Sequence, residues 1–165
     1  MPRFNGSSGA WVREQVLAPL GCTAAAACIT DCLDTYRASV GVTERLADTY
    51  APFSQKVGMA PAYLLPHPSE GDIVAEALRL HRARLLAELD ACRPATVITL
   101  GNAALRVARA LLDVADAAPP KLRVEQYGVA VTVRVATRSV SLLPLAHPAA
   151  PARYQDAHAR WRESR

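Results

Sequence analysis

His147 is the residue best placed to do chemistry, because it follows the apolar run Ser141-Leu142-Leu143-Pro144-Leu145 directly and precedes Pro148. Such a run reads as a strand buried on both faces, and the carboxyl end of a buried parallel strand is where α/β proteins hold ligands. The proline ring stiffens the turn, so the imidazole is aimed. The alternative is a histidine that only completes the turn. Asp31 ends the run "AACIT" in the same manner and is the second candidate, against the alternative of a turn acid bonded to local backbone. Phe4 is one of only two phenylalanines and stands before "NGSSG", where core packing or a hydrophobic staple on the first helix is its simplest role. Of the other histidines, His67 lies in a proline-rich stretch, while His81 and His158 fall inside helical patterns and read as surface or partly buried side chains.

Other chemistries lack their residues. "TLGNAAL" offers one glycine at a strand-to-helix turn, which could hold a phosphate but is more simply a structural turn; neither G-x-G-x-x-G nor G-x-x-x-x-G-K-[ST] occurs. "NGSSGA" fails the spacing of a G-x-S-x-G serine-hydrolase elbow. Cys28 and Cys32 are four apart and could ligate a metal from one helix face. No histidine or second pair stands at ligand spacing, so Cys22, Cys28, Cys32 and Cys92 are expected to be buried free thiols, with no metal and no cofactor.

Positioning these residues is the task of a mixed α/β chain. Ser7, Ser8 and Gly9 precede a helix whose Val12, Val16, Leu17 and Leu20 share a face, closed by Gly21. Ala24 to Leu33 reads as a buried strand that meets a loop at Asp31. Thr43 can cap a short helix through Tyr50, followed by a loop from Ala51 to Pro68 with four prolines. Ser69 and Asp72 form a capping-box pattern ahead of a long helix from Glu70 to Ala91. "ATVITLG" is a β-branched strand ending in glycine, with Asn102 placed to cap the next helix through Asp113. Leu122 to Leu145 has β character broken at Tyr127-Gly128 and Ala136–Arg138, so a hairpin feeds the last strand. Pro151 suits the first turn of a closing helix.

With 165 residues the chain fits one domain, 1–165, and can bury about 70% of its unfolded surface. A net charge of +4 is a mild basic bias, supplied almost wholly by arginine. That is compatible with a polyanion partner without requiring one. No apolar run approaches roughly 18 residues, so a membrane span is not expected, and the absence of a charged-then-apolar leader makes the cytoplasm the expected compartment.

Four blocks, in order, carry a resemblance. "PRFNGSSGAWVREQVLAPLG", "CITDCLDTYRA", "RPATVITLGNAAL" and "LLPLAHPAAPARY" are similar to the phenylalanine-glycine segment, the strand ending in Thr-Asn, the Leu-Gly-x-x-Ala-Leu block and the closing His-Pro-Ser-x-x-x-Arg motif of the uracil-DNA glycosylase superfamily. The resemblance implies a three-layer α/β sandwich with a short, mostly parallel sheet, acting as a monomer on DNA and excising a deaminated or damaged base. Enzymes of this kind flip the base into a pocket. Carried over by position, Phe4 would stack on the base, Asp31 would read its edge where the family has asparagine, and His147 would stabilise charge developing on the departing base. Pro148 to Arg153 would press into the duplex, with Pro148 and Arg153 contacting DNA. The family's first strand and its water-activating loop would lie ahead of Phe4, where this sequence has three residues; a start upstream of Met1, a degenerate binding member, and another residue supplying the water chemistry are the three readings of that difference. The reading from a different class is a non-catalytic α/β module binding a nucleotide-like ligand or a protein.

Overall fold

The computed structural model describes residues 6–35, 37, 40–60, 67–112, 114, 119–135 and 137–165. Helix α1 (Gly6–Trp11) continues without a break through a wider π turn (Val12–Leu17) and a tight 3-10 turn (Ala18–Leu20). It ends at Gly21 in the left-handed region at φ 65, the conformation glycine adopts without steric cost. Helix α2 (Val40–Lys56) is longer than its sequence suggests. It runs through Pro52, so the loop expected from Ala51 begins only after Lys56. Proline removes one backbone bond from a helix, and here the helix carries on past the gap.

The long helix expected from Glu70 is present as α3 (Glu70–Glu76), a π turn (Ala77–His81) and α4 (Arg82–Cys92). The Ser69 hydroxyl accepts from the Asp72 N–H while the Asp72 carboxylate accepts from the Ser69 N–H, a reciprocal cap on two orphan donors. Strand β1 (Thr96–Leu100), helix α5 (Asn102–Leu111), strands β2 (Val131–Val135) and β3 (Arg138–Leu145), and helix α6 (Ala152–Glu163) complete the order.

The sheet has the order β1-β3-β2, with β1 parallel to β3 and β2 antiparallel to it. It is therefore a small mixed sheet, and the expectation of a mostly parallel one is corrected. The missing parallel strand was expected at Ala24–Leu33. Among the described residues that stretch makes a 3-10 turn at Ala24–Ala26, leaves it through an extended Ala27, and runs without strand pairing, mostly exposed, to the buried Leu33. Its alanines bring little apolar area to a sheet face. Asp31 O and Cys32 O accept from the Arg84 side chain, not from a neighbouring strand.

Each sheet face is covered. Val140 and Leu142 of β3 pack with Val133, Leu105 and Leu112 on one side, while Leu143 and Leu145 pack with Val16 and Trp161 on the other. This is the period of two that places successive side chains on opposite faces. Pro144 sits inside β3 at no cost to the ladder. Ser141 N donates towards β1 at Ala95 O and Leu145 O accepts there from Gly101 N, so even-numbered residues point to the β2 side. The β2 pairing ends at Val131 opposite Leu142, leaving nothing for a donor at position 144 to meet.

One polar relay crosses the core. Ala146 N donates to the Tyr127 hydroxyl at 3.0 Å, the hydroxyl donates to His158 Nδ1 at 2.7 Å, and His158 Nε2–H donates to Gln15 O at 2.9 Å. His158 is only 4% exposed and His81 8%, so both are buried, not surface histidines. Burial, and then the Arg162 charge, hold His158 below its ordinary value of 6.5 against the raising effect of the Gln15 bond. Burial likewise pushes the Tyr127 phenol up, keeping its proton in place.

Replacing Tyr127→Phe removes the shared hydroxyl and leaves His158 Nδ1 and Ala146 N–H unpaired. A loss of about 2–3 kcal/mol is expected, read as a fall in Tm of a few degrees per kcal/mol. A folded-state histidine lowered below 6.5 binds fewer protons than its unfolded counterpart, so stability is full above that pH and declines as pH falls through and below it. Thermal melts from pH 7.5 to pH 5 should show Tm falling only in the acid part of the series, with a shallower fall in His158→Gln.

Candidate functional site

Because β1 and β3 run parallel, their carboxyl ends lie side by side, with Leu100 paired to Leu145. Gly101 N donates to Leu145 O at 2.8 Å and carries the register one residue past the strands. A cavity of about 170 Å³ opens at this edge, lined by Gly101, Asn102, Leu122, Ala146, His147 and Tyr154 together with Ala150 and Pro151. It is smaller than the roughly 300 Å³ at which drug-sized sites begin, and suits a single small ring.

Its walls are fixed by side chain to backbone bonds. Leu122 N donates to Asn102 Oδ1 at 2.8 Å, and Tyr154 O–H donates to Leu122 O at 3.0 Å, so one residue is held from both ends. Asn102 thus pins the far wall. It does not cap α5, whose cap position is Gly101 and carries no side-chain bond. Gln155 Nε2 donates to Pro148 O at 2.9 Å and Ala150 O at 3.1 Å, and Ala150 N donates to His147 O at 2.9 Å, which closes the turn after β3.

His147 stands at the mouth with its ring exposed. Ala149 N donates to His147 Nδ1 at 3.2 Å. A ring nitrogen that accepts cannot carry the proton, so the neutral imidazole holds it on Nε2. Desolvation, followed by the charge of His67, lowers the ring's pKa from 6.5, while Asp31 opposes them. The ring is therefore a neutral Nε2–H donor near pH 7. Gly101 permits this placement: its φ is 90, and a Cβ there would stand 3.3 Å from His147 Cβ.

Asp31 lies near enough to act on His147 electrostatically, and so does His67, whose Nδ1 donates to Pro68 O at 2.9 Å. The Asp31 side chain is exposed, and its segment is held by α4. Arg84 donates to Thr30 Oγ1 at 2.9 Å and to Asp31 O at 2.8 Å, and pairs with Glu88 at 2.9 Å. Pro148 is half-buried within the turn. Arg153 is exposed on the first turn of α6, its guanidinium 5.1 Å from the Tyr154 ring centroid. Phe4 lies outside the described residues.

The structure thus places His147 and Pro148 after β3 at the carboxyl edge of the sheet, with Asp31 near enough to act on His147 electrostatically and Arg153 exposed on the first turn of α6. His67 and Tyr154 were missed from the sequence. His67 sits two residues before the Ser69 cap, a position whose only signal is its prolines, and Tyr154 follows the loop already singled out. The cysteines differ from expectation: all four are free, but Cys22, Cys28 and Cys92 are exposed and only Cys32 is partly covered. No helix among the described residues is long and apolar enough to cross a membrane. Compared with protein-family models and with curated proteins, the chain matches none.

Gly101→Ala is expected to cost about 1–3 kcal/mol, because alanine is strained at φ 90 and its methyl presses on His147. The displaced ring should show as a shifted His147 imidazole resonance in a two-dimensional NMR titration, with the His158 resonances unchanged.

Proposed function

We propose that the chain is a uracil-DNA glycosylase-like protein that binds an extruded DNA base in the cavity at the carboxyl edge of β1 and β3, and excises it by hydrolysis. The observation that carries this reading is the tautomer of His147. A neutral Nε2–H at the mouth of a ring-sized cavity is the donor needed where negative charge develops on a leaving base. A fixed donor of this kind contributes several kcal/mol because it needs no reorganisation during the reaction. In the reaction the N-glycosidic bond breaks, its electron pair leaves with the base, water adds to the sugar carbon, and the proton the water loses ends on the departed base.

The order of the four sequence blocks supports the same reading, as do helices on both faces of the sheet, the arrangement that a three-layer sandwich of this superfamily requires. Asp31 specifies the base further. An ionised carboxylate only accepts hydrogen bonds, so it favours a base edge that presents N–H donors and disfavours one that presents a carbonyl. Arg153 would meet the phosphate backbone, and the Pro148 turn would press against the duplex.

A non-catalytic binding module is the competing reading, favoured by the exposure of the Asp31 segment. The two separate in one experiment. Single- and double-stranded DNA carrying uracil, hypoxanthine or xanthine is incubated with the protein and assayed for abasic sites. Excision is expected, with His147→Ala lowering the rate by about 10²–10³-fold while its melting curve stays that of the wild type. Retained, salt-sensitive DNA binding without product would leave the binding module; neither product nor salt-sensitive binding ends the DNA reading altogether.

A further inference from the structure

Ala157, Arg160, Trp161, Ser164 and Arg165 stand at i, i+3, i+4, i+7 and i+8, the spacing that gathers side chains on one helix face. Helix α6 supplies the first three, and Ser164 N, donating to Arg160 O at 3.2 Å, carries the turn on to the rest. This face meets Val124 and the Tyr127-Gly128 pair across a cavity of about 270 Å³. The cavity is larger than the one at His147 and shares no lining residue with it. Its polar groups are not equally committed. The Tyr127 hydroxyl is used in the relay, and the Ser164 hydroxyl donates to Trp161 O at 2.7 Å. Trp161 is only 6% exposed, and its Nε1–H is buried with no hydrogen-bond partner among the described residues. That edge of the indole faces Gly128, since a Cβ there would stand 2.6 Å from Nε1. Arg165 holds its guanidinium 5.4 Å from the centre of the Trp161 ring, and Arg160 lines the same cavity. Neither arginine side chain enters a salt bridge among the described residues.

We propose that this cavity binds the phosphate group of a small phosphate monoester. The side-chain groups left to a ligand are donors, one indole N–H and two guanidinium groups, and no Asp or Glu lines the walls. Such a set calls for an acceptor that carries negative charge. A buried N–H without a partner bears a desolvation penalty that a ligand oxygen relieves, and guanidinium forks match phosphate oxygens in pairs. Donors from three residues suit the three free oxygens of a monoester better than the two of a planar carboxylate. Val124, Ala157 and the Tyr127 ring supply an apolar wall, which fits a small apolar or aromatic group on the ester side. The volume is close to the roughly 300 Å³ at which small-molecule sites begin, room for a phosphate and one ring.

The carboxyl end of a helix is the wrong pole for an anion, and magnitudes decide which effect wins. That end carries about half a negative charge, spread over carbonyls that lack partners. Here the carbonyls are in use: Arg160 O accepts from Ser164 N, Arg162 O from Arg165 N, and Trp161 O from the Ser164 hydroxyl. Against that fraction stand two full guanidinium charges in the cavity wall, with Arg162 adding a third on the last turn of α6.

This inference does not rest on the DNA reading, because binding is read at the indole itself. The full chain, isotope-labelled for nitrogen NMR, has two indole N–H resonances, one for each tryptophan, and that of Trp161 is identified by its through-space contact with the Gly128 α protons. Phenyl phosphate is titrated in at constant ionic strength, with inorganic phosphate and benzoate in parallel. The expected result is a saturable downfield shift of the Trp161 indole proton with that of Trp11 unmoved, binding being tightest for phenyl phosphate and weakest for benzoate. Arg160→Gln and Arg165→Gln should each weaken phenyl phosphate about tenfold, the loss of a charge-assisted hydrogen bond, while melting as the wild type. Arg134→Gln, exposed on β2 and outside the cavity, should leave the affinity unchanged. Absence of a saturable shift, both indoles shifting together, affinity retained in both Arg160→Gln and Arg165→Gln, benzoate binding as tightly as phenyl phosphate, or an equal shift from sodium chloride would each overturn it. So would a response to double-stranded DNA with none to phenyl phosphate.

Discussion

The Tyr127 hydroxyl has one proton to give and lone pairs to receive, and the fold uses both. It accepts from Ala146 N at the end of β3 and donates to His158 on α6, which in turn donates to Gln15 O in the π turn that continues α1. Three elements remote in sequence are tied through a single phenol. Without it the residue next to His147 would have a backbone N–H with no partner in the core, and buried orphan donors are rare because each costs a desolvation penalty. The turn that presents His147 is therefore anchored from beneath, and its position is a property of the core as much as of the loop.

Burying that relay sets demands on its surroundings. The His158 ring lies between Trp11 and Trp161, with centroids 4.8 and 5.2 Å away, and meets Tyr127 edge-on at 5.8 Å. A charged imidazole would be expensive in that aromatic slot, which is why burial leads the causes of its lowered pKa. The residue after Tyr127 must also yield. A Cβ on Gly128 would stand 2.2 Å from Trp161 Cδ1, and its φ of 66 favours glycine independently. Tyr127-Gly128 acts as a unit: the tyrosine supplies the hydroxyl, and the glycine lets the indole close over the relay.

Much of this frame is legible in the sequence, and the parts that are not share a cause. The Ser69 capping box, the strand ending at Gly101, the hairpin before His147 and the closing helix after Pro151 all rest on local signals, such as caps, β-branching and proline placement, and all are present. The stretch from Ala24 to Leu33 has strand-like composition, yet what decides its conformation is the Arg84 guanidinium, more than fifty residues away. Helix α2 runs on through Pro52, where local propensity alone predicts a break. The candidate site divides along the same line. His147, Pro148 and Arg153 follow a recognisable strand, whereas the approach of His67 and Asp31 depends on how distant segments pack.

Two histidines have lowered pKa values here, and that shift alone does not tell them apart. The hydrogen-bond inventory does. A neutral imidazole has one donor and one acceptor. His158 spends both on the protein, with Nδ1 accepting from Tyr127 and Nε2 donating to Gln15, and is 4% exposed. His147 spends only Nδ1, on Ala149 N, and among the described residues no hydrogen bond engages its Nε2–H. A side chain whose polar atoms are all used internally holds a fold together. His147, by contrast, lines the cavity at the carboxyl edge with one ring nitrogen not committed to a hydrogen bond among the described residues. Spacing in the sequence marks His147 and passes over His158, and the inventory explains why the first is the candidate for chemistry and the second keeps it in place.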